Sequence, residues 1–386
     1  MFRKLLVSAI ALMISVPAIA QETIKIGLIL PMTGPFAMIG REVQAGVQLY
    51  LAHNGEAVAG KKVEIILRDD TGVGDIGKRI AQELIVNDKV SVIAGIGTTP
   101  SAVAIAPVAT QAKIPMVVMS PSTSAITSMS PFAVRSGFTG PQVVSVAGDY
   151  FAKSGIKTAV TLVSDFGPGI DHEEWFKKTF EAGGGKVIAT LRSPFVNPEF
   201  SPFLQRAADE KPQALFIFVP TGQNGTLMRQ FVERGLDKTG IKLLAAGDVV
   251  DESFLDQIGD VALGVESGFH YSDAHPSALN QKFVADFMKA NDGLRPNMMA
   301  VGGYDGMALI AKALQKAPAS NGTVLLEAMK GLSWESPRGP MTIDPETRDV
   351  IQDVYMRRVE KRDGRLVNAE FATVKSVKDP AKAAAK

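Results

Sequence analysis

The stretch from Val90 to Gln111, VSVIAGIGTTPSAVAIAPVATQ, decides how the rest of the chain is read. Val90 to Ala94 is an apolar run of the kind found in a strand buried on both faces. It breaks at Gly95-Ile96-Gly97, meets Thr98, Thr99, Pro100 and Ser101, and continues as an alanine-rich helical pattern. A buried strand that hands over to a helix in this way gathers free backbone N–H groups, the positive end of a helix dipole and short hydroxyl donors at one corner. Such a corner suits an anion, whether nucleotide phosphate, substrate oxyanion or ligand carboxylate.

Outward from this corner, strand-like and helix-like segments alternate. On its N-terminal side stand IKIGLIL (24–30), a helical spacing through Ile39, Val43, Val47, Tyr50 and Leu51, KVEIILRDD (62–70) and IGKRIAQELIVND (76–88); IPMVVMS (114–120) follows it. This β-α-β order predicts a parallel sheet with helices on both faces. A second block repeats the pattern with TAVTLVSD (158–165), KVIATLRS (186–193), ALFIFVP (214–220) and IKLLAAGD (241–248), separated by helical segments. Two α/β units in tandem predict two doubly wound lobes with a cleft at the carboxyl ends of their strands. Further helices are expected near 277–291, 304–317 and 324–330, then two strands around Asp363-Gly364. Residues 376–386 read as a frayed end.

Lys+Arg (41) and Asp+Glu (40) nearly cancel over the 386 residues and no long basic run occurs, which argues against nucleic acid or an anionic membrane surface as the main partner. The N-terminus, MFRKLLVSAIALMISVPAIAQE, has a basic start, an apolar core and Ala18-Ile19-Ala20, so residues 1–20 read as a cleavable signal peptide. With no cysteine to form a disulfide or to carry a lipid, the expectation is a soluble protein of the periplasm.

Catalytic motifs are missing. Pro100 stands where the third glycine of a dinucleotide fingerprint would fall, and neither a P-loop nor a GxSxG elbow occurs. His53, His172, His270 and His275 form no zinc spacing, Asp171 to Trp175 (DHEEW) reads as the polar first turn of a helix, and Asp69-Asp70 as a solvated strand end. No catalytic residue, metal or cofactor is expected, and the chain reads as a binding protein; an exported hydrolase of the same architecture lacks its nucleophile.

Several segments together, IKIGLILPMTGPFAMIGREVQAGVQL, GIGTTPSAVAIAPVATQAKIPMV, MSPSTSAITSMSPFAVRSG, FEAGGGKV and VGGYDGMALIAKAL, resemble the leucine/isoleucine/valine-type periplasmic binding proteins, the substrate-binding subunits of ABC importers. The resemblance implies the type I binding-protein fold: two lobes joined by three hinge crossings, near 135–137, 267–271 and 339–342. Lobe one would hold 22–136 and 270–340, lobe two 137–269 and 341–375. It implies a monomer that closes on a small-molecule carboxylate and hands it to a membrane permease, or, alternatively, a sensor of the same fold serving a signalling partner.

Carried over residue by residue, the family's carboxylate grip falls on Thr98, Thr99, Ser122 and Ser124. The rest of the pocket departs from the amino-acid pattern: Ile39 and Phe166 stand where other aromatics are common, Pro220 and Thr221 near a further one. Asp248 falls near the acidic partner of an ammonium group, and Tyr304 and Asp305 where a lobe-one helix approaches the cleft. Asp248 serves equally an ammonium or a ligand hydroxyl, so a branched-chain or aromatic amino acid and an aromatic acid such as a benzoate derivative both remain open.

Overall fold

A computed structural model of the protein describes residues 23–220, 222–318 and 321–383. The expected signal peptide at 1–20 and Thr221 lie outside them. Among the described residues, one sheet has six strands in the order Ala57–Val58, Lys61–Asp69, Thr23–Leu30, Val92–Gly95, Met116–Val118 and Ala133–Arg135. All its pairings are parallel except that of the short edge strand Ala57–Val58. A second sheet runs Glu266–Phe269, Lys242–Ala246, Ala214–Phe218, Thr158–Ser164, Lys186–Ser193 in parallel, and Val350–Arg362 joins it antiparallel beside Glu266–Phe269.

The unbroken apolar runs follow from burial on both faces. In the first sheet Ile26, Leu28, Leu30, Val92 and Ala94 enter one core cluster, while Ile29 and Ile93 enter the cluster on the opposite face. In the second, Leu215 and Ile217 alternate with Phe216 and Phe218 in the same way. A side-chain period of two fills two cores only if every position is apolar. Helices Ala37–Asn54 and Met298–Lys316 pack backbone to backbone on the first sheet, where a Cβ at Gly46 would collide with the Ala300 carbonyl and one at Gly303 with that of Val43.

The chain passes between the sheets three times. It leaves the first after Ala133–Arg135, returns after Glu266–Phe269 through helices 278–290 and 298–316, and leaves again after Gly322–Met329. The last passage is drawn out. Strands Ser333–Ser336 and Gly339–Ile343 pair into the second sheet, yet Trp334, Met341, Ile343, Val350 and Val354 pack in a core of the first lobe, so no sharp boundary falls at 340.

Each passage carries a buried arginine. Arg135 pairs with Asp349 at 2.8 Å and donates to the carbonyls of Pro121 and Thr123. Arg338 pairs with Asp305 at 2.9 Å and donates to the carbonyls of Ser136 and Gly137. Arg357 pairs with Glu252 at 3.0 Å and donates to Ser267 and to the Tyr271 carbonyl.

The hairpin Val350–Arg362 and Arg365–Val377 turns at Asp363 and Gly364, both at positive φ (49° and 80°), the geometry of a type I′ turn. The tail differs from the frayed end read in the sequence. Strand Arg365–Val377 runs two residues into it, Pro380–Ala383 is helical, and Asp379 accepts a hydrogen bond from Ser124.

Candidate ligand-binding site

The opening corner lies at the head of a cavity between the sheets. Strand Val92–Gly95 ends with Gly95 at φ 90° and Ile96 at φ 63°. Positive φ is strained for a β-branched residue, and here burial of the side chain and the Ile96 N–H bond to Ile29 O (2.7 Å) hold it. The kink turns the chain into helix Thr99–Ala112, whose N-cap is Thr98: its Oγ accepts from Ser101 N at 3.4 Å and donates to Gly72 O at 3.2 Å. The Thr98 hydroxyl therefore serves the protein; Pro100 has no N–H and those of Ser101 and Ala102 are spent on Thr98, so an anion at the corner meets the Thr99 N–H. Thr99 Oγ shares a hydrogen bond of 2.9 Å with Thr123 Oγ, which leaves one hydroxyl proton of the pair for a ligand.

Ser122 stands on the loop that Arg135 clamps, and it lines the same cavity. With the cleft shut, the cavity keeps about 50 Å³ of free space. It brings together Thr98, Thr99, Ser122, Ile39, Phe166 and Asp248 from the residues singled out in the sequence, with Pro220 beside them. Its walls also include Ser120, and Phe36, Phe138, Phe195, Phe218 and Met299, five residues that sequence reasoning did not single out. No lysine, arginine or histidine lines it among the described residues.

Asp248, at the end of strand Lys242–Ala246, is 5% exposed and its Oδ2 has no hydrogen-bond partner. Burial first, and then the neighbouring charge of Asp251, push its carboxyl up to about 8, against a smaller pull from Arg357. The group is thus mostly protonated at neutral pH, a neutral donor-acceptor facing an aromatic cavity. An orphaned buried oxygen costs about 1–3 kcal/mol unless something satisfies it.

Two expected site residues lie elsewhere. Tyr304 sits in helix Met298–Lys316 with its hydroxyl 3.1 Å from His53 Nδ1 and its ring against Tyr50 and Phe283. The helix begins six residues earlier than the spacing suggested, capped by Asn297, so its cleft end presents Met299, and Tyr304 lies more than a turn inside the lobe. Asp305 next to it is spent on Arg338, Trp334 and Ser336. Ser124 also misses the cavity. Its N–H donates to Asp171 at 2.8 Å across the cleft, and its hydroxyl to Asp379 at 2.5 Å.

These contacts describe a shut cleft. A Cβ on Gly167, at the start of helix Gly167–Ala182, would lie 2.6 Å from Thr123 Oγ on the facing lobe. Phe36 of the first lobe stacks on Phe195 of the second at 5.1 Å, and Asn297 Nδ2 donates to Asp251 at 2.9 Å.

Two α/β lobes, three passages and a closed cleft with an anion corner define a solute-binding protein. The chain belongs to the periplasmic binding protein family, whose model matches residues 23–365. It is 38% identical over 384 residues to a Leu/Ile/Val-binding protein homolog of Brucella melitensis, covering 98% of each chain. Among solved structures it is similar to a solute binding protein of an ABC transporter from Rhodopseudomonas palustris BisB5 in complex with 3,4-dihydroxy benzoic acid (54% identity, TM-score 0.91, 93% of this chain and 99% of that one). A second, from Rhodopseudomonas palustris HaA2 in complex with p-hydroxybenzoic acid, is 40% identical with a TM-score of 0.90, covering 94% and 100%. The protein is a solute-binding component of the ABC-transporter kind. Among the described residues no helix is long and apolar enough to cross a membrane.

Proposed function

We propose that this protein is a periplasmic receptor for a hydroxylated aromatic carboxylate of the hydroxybenzoate type, which it captures by lobe closure and delivers to the membrane permease of an ABC importer. The observation that carries this reading is the unpartnered Oδ2 of Asp248 in a cavity walled by phenylalanines. The ligand's carboxylate would sit on the Thr99 amide at the head of helix Thr99–Ala112, with Ser122 and the Thr99–Thr123 pair as hydroxyl donors. Its ring would lie among Phe138, Phe166 and Phe218, and its hydroxyl would meet Asp248.

A phenol brings one donor and one acceptor, which a protonated carboxyl matches. An α-ammonium brings a charge and three donors, and Asp248 is the one carboxyl lining the described cavity. The two similar structures cited above hold mono- and dihydroxybenzoic acids, which supports the same ligand class here.

The test is a thermal-shift and calorimetric panel on refolded, ligand-free protein with benzoate, 4-hydroxybenzoate, 3,4-dihydroxybenzoate, leucine and phenylalanine at about 1 mM. A micromolar ligand at that concentration stabilises by about 4 kcal/mol, a rise of several degrees in Tm. Hydroxybenzoates are expected to give that rise. Asp248→Leu should weaken them by about 1–3 kcal/mol while sparing benzoate. A response confined to leucine or phenylalanine would overturn the reading.

A further inference from the structure

The cavity's outer wall is a stack of three rings drawn from both lobes. Phe195 lies between Phe36 on one side (centroids 5.1 Å apart, planes at 12°) and Phe166 on the other (4.2 Å, 18°). Each of the three is half-buried. Beyond them lies a second space of about 270 Å³, lined by Pro35, Asn197, Pro198 and Gln223, and it shares Phe36 and Phe195 with the ligand cavity as a common wall.

This wall stands at the carboxylate end. A Cβ on Gly72 would lie 2.9 Å from the Phe36 ring and 3.3 Å from Thr98, while Phe166 immediately precedes Gly167, which crowds Thr99 and Thr123. Asp248 stands at the hinge end, where its neighbour Gly247 packs on Phe269 and Arg357 lies close enough to lower its proton affinity. A molecule anchored by its hydroxyl at Asp248 and lengthened toward its carboxylate therefore presses on the end of the cavity that the ring stack shares with the helix head.

Resting on the hydroxybenzoate reading, we infer that Phe195 is the length filter of this receptor. Its ring, held between one phenylalanine of each lobe, closes the cavity against the outer space and restricts the ligand to acids whose carboxylate is attached directly to the ring. Phe195 also helps to shut the cleft through its stack on Phe36, so the ratio of two affinities, rather than either one, reads the filter. Removing the ring joins the two spaces and makes room for an acid with a two-carbon arm, such as 4-hydroxycinnamate.

The experiment compares calorimetric affinities of 4-hydroxybenzoate and 4-hydroxycinnamate for the full mature chain and for Phe195→Ala and Phe195→Leu, each checked by its melting temperature. The wild type is expected to prefer the benzoate. Phe195→Ala should shift the ratio of the two affinities at least about tenfold toward the cinnamate, the scale on which an apolar site discriminates by a carbon or two. Phe195→Leu, which keeps most of the bulk, should hold the ratio near that of the wild type and tests the filter even if the alanine variant folds poorly. An unchanged ratio in Phe195→Ala, a Leu variant that loses the preference altogether, or a wild type that takes both acids equally would overturn the filter while leaving the hydroxybenzoate reading intact. A wild type that binds neither acid would overturn that reading and this inference with it.

Discussion

Asp248 concentrates the chemistry of the site in one proton. Its carboxyl ordinarily titrates near 3.8 and is held up to about 8 in the folded chain. Below pH 4 both folded and unfolded chains carry that proton. Between there and pH 8 the unfolded chain gives it up first, so folding stability attributable to this residue falls as pH rises through the window. In ligand-free protein the melting temperature of the wild type should therefore drop more steeply from pH 5 to pH 8 than that of Asp248→Asn, whose amide has no proton to lose. Glu42 and Glu252, both buried and pushed up by desolvation, tilt the two curves alike, so the difference between them isolates Asp248. Parallel curves would show that Asp248 is ionised throughout. The Tyr304 expectation failed at this same scale, because one asparagine was not read as a cap. Asn297 accepts from the N–H groups of Met299 and Ala300, and a helix that starts there carries Tyr304 out of the cleft.

At the scale of the element, the helix Thr99–Ala112 and its cap are one device. The Thr98 hydroxyl holds Ser101 N and reaches Gly72 O, fixing the direction in which the Thr99 amide points. Thr98→Ala should cost about 1 kcal/mol of stability, read from the urea midpoint, and weaken the aromatic acid as well. A ligand affinity untouched by that loss would separate the cap from the grip. This device was legible in the sequence, because glycines, hydroxyls and a proline at a strand-to-helix junction have local causes. So were the parallel strands, whose unbroken apolar runs follow from two buried faces. The phenylalanine wall was not. Phe36, Phe195 and Phe218 come from a turn, a loop and a strand end far apart in the chain, and no periodicity relates them. The place of Phe36 in the GPFA turn and of Phe218 at a strand's carboxyl end were the available signals. The docking of the C-terminal helix was hidden for the same reason, since Asp379 finds Ser124 from 255 residues away.

For the whole molecule, closure rests on a few contacts across the cleft: Ser124 to Asp171, Asn297 to Asp251, and the ring stack. Asp171 is partly buried and its carboxyl is raised to about 6, with burial the main cause and the Ser124 N–H opposing it. Asp171→Ala removes the acceptor of that N–H. It should speed ligand release about tenfold, the worth of one hydrogen bond to a charged group, with little change in the association rate. Stopped-flow dissociation would measure it, and an unaltered rate would show that the rings and the Asn297–Asp251 contact hold the cleft shut without it. The passages between lobes behave differently from these contacts, because each is covalent and each is braced by its own buried arginine. A chain with no cysteine thereby gains the redundancy that cross-links give other proteins. A single protease cut in one passage leaves two intact strands of chain between the halves, so nicked protein is expected to run as two fragments under denaturing conditions yet to purify, and to take up its ligand, as one particle.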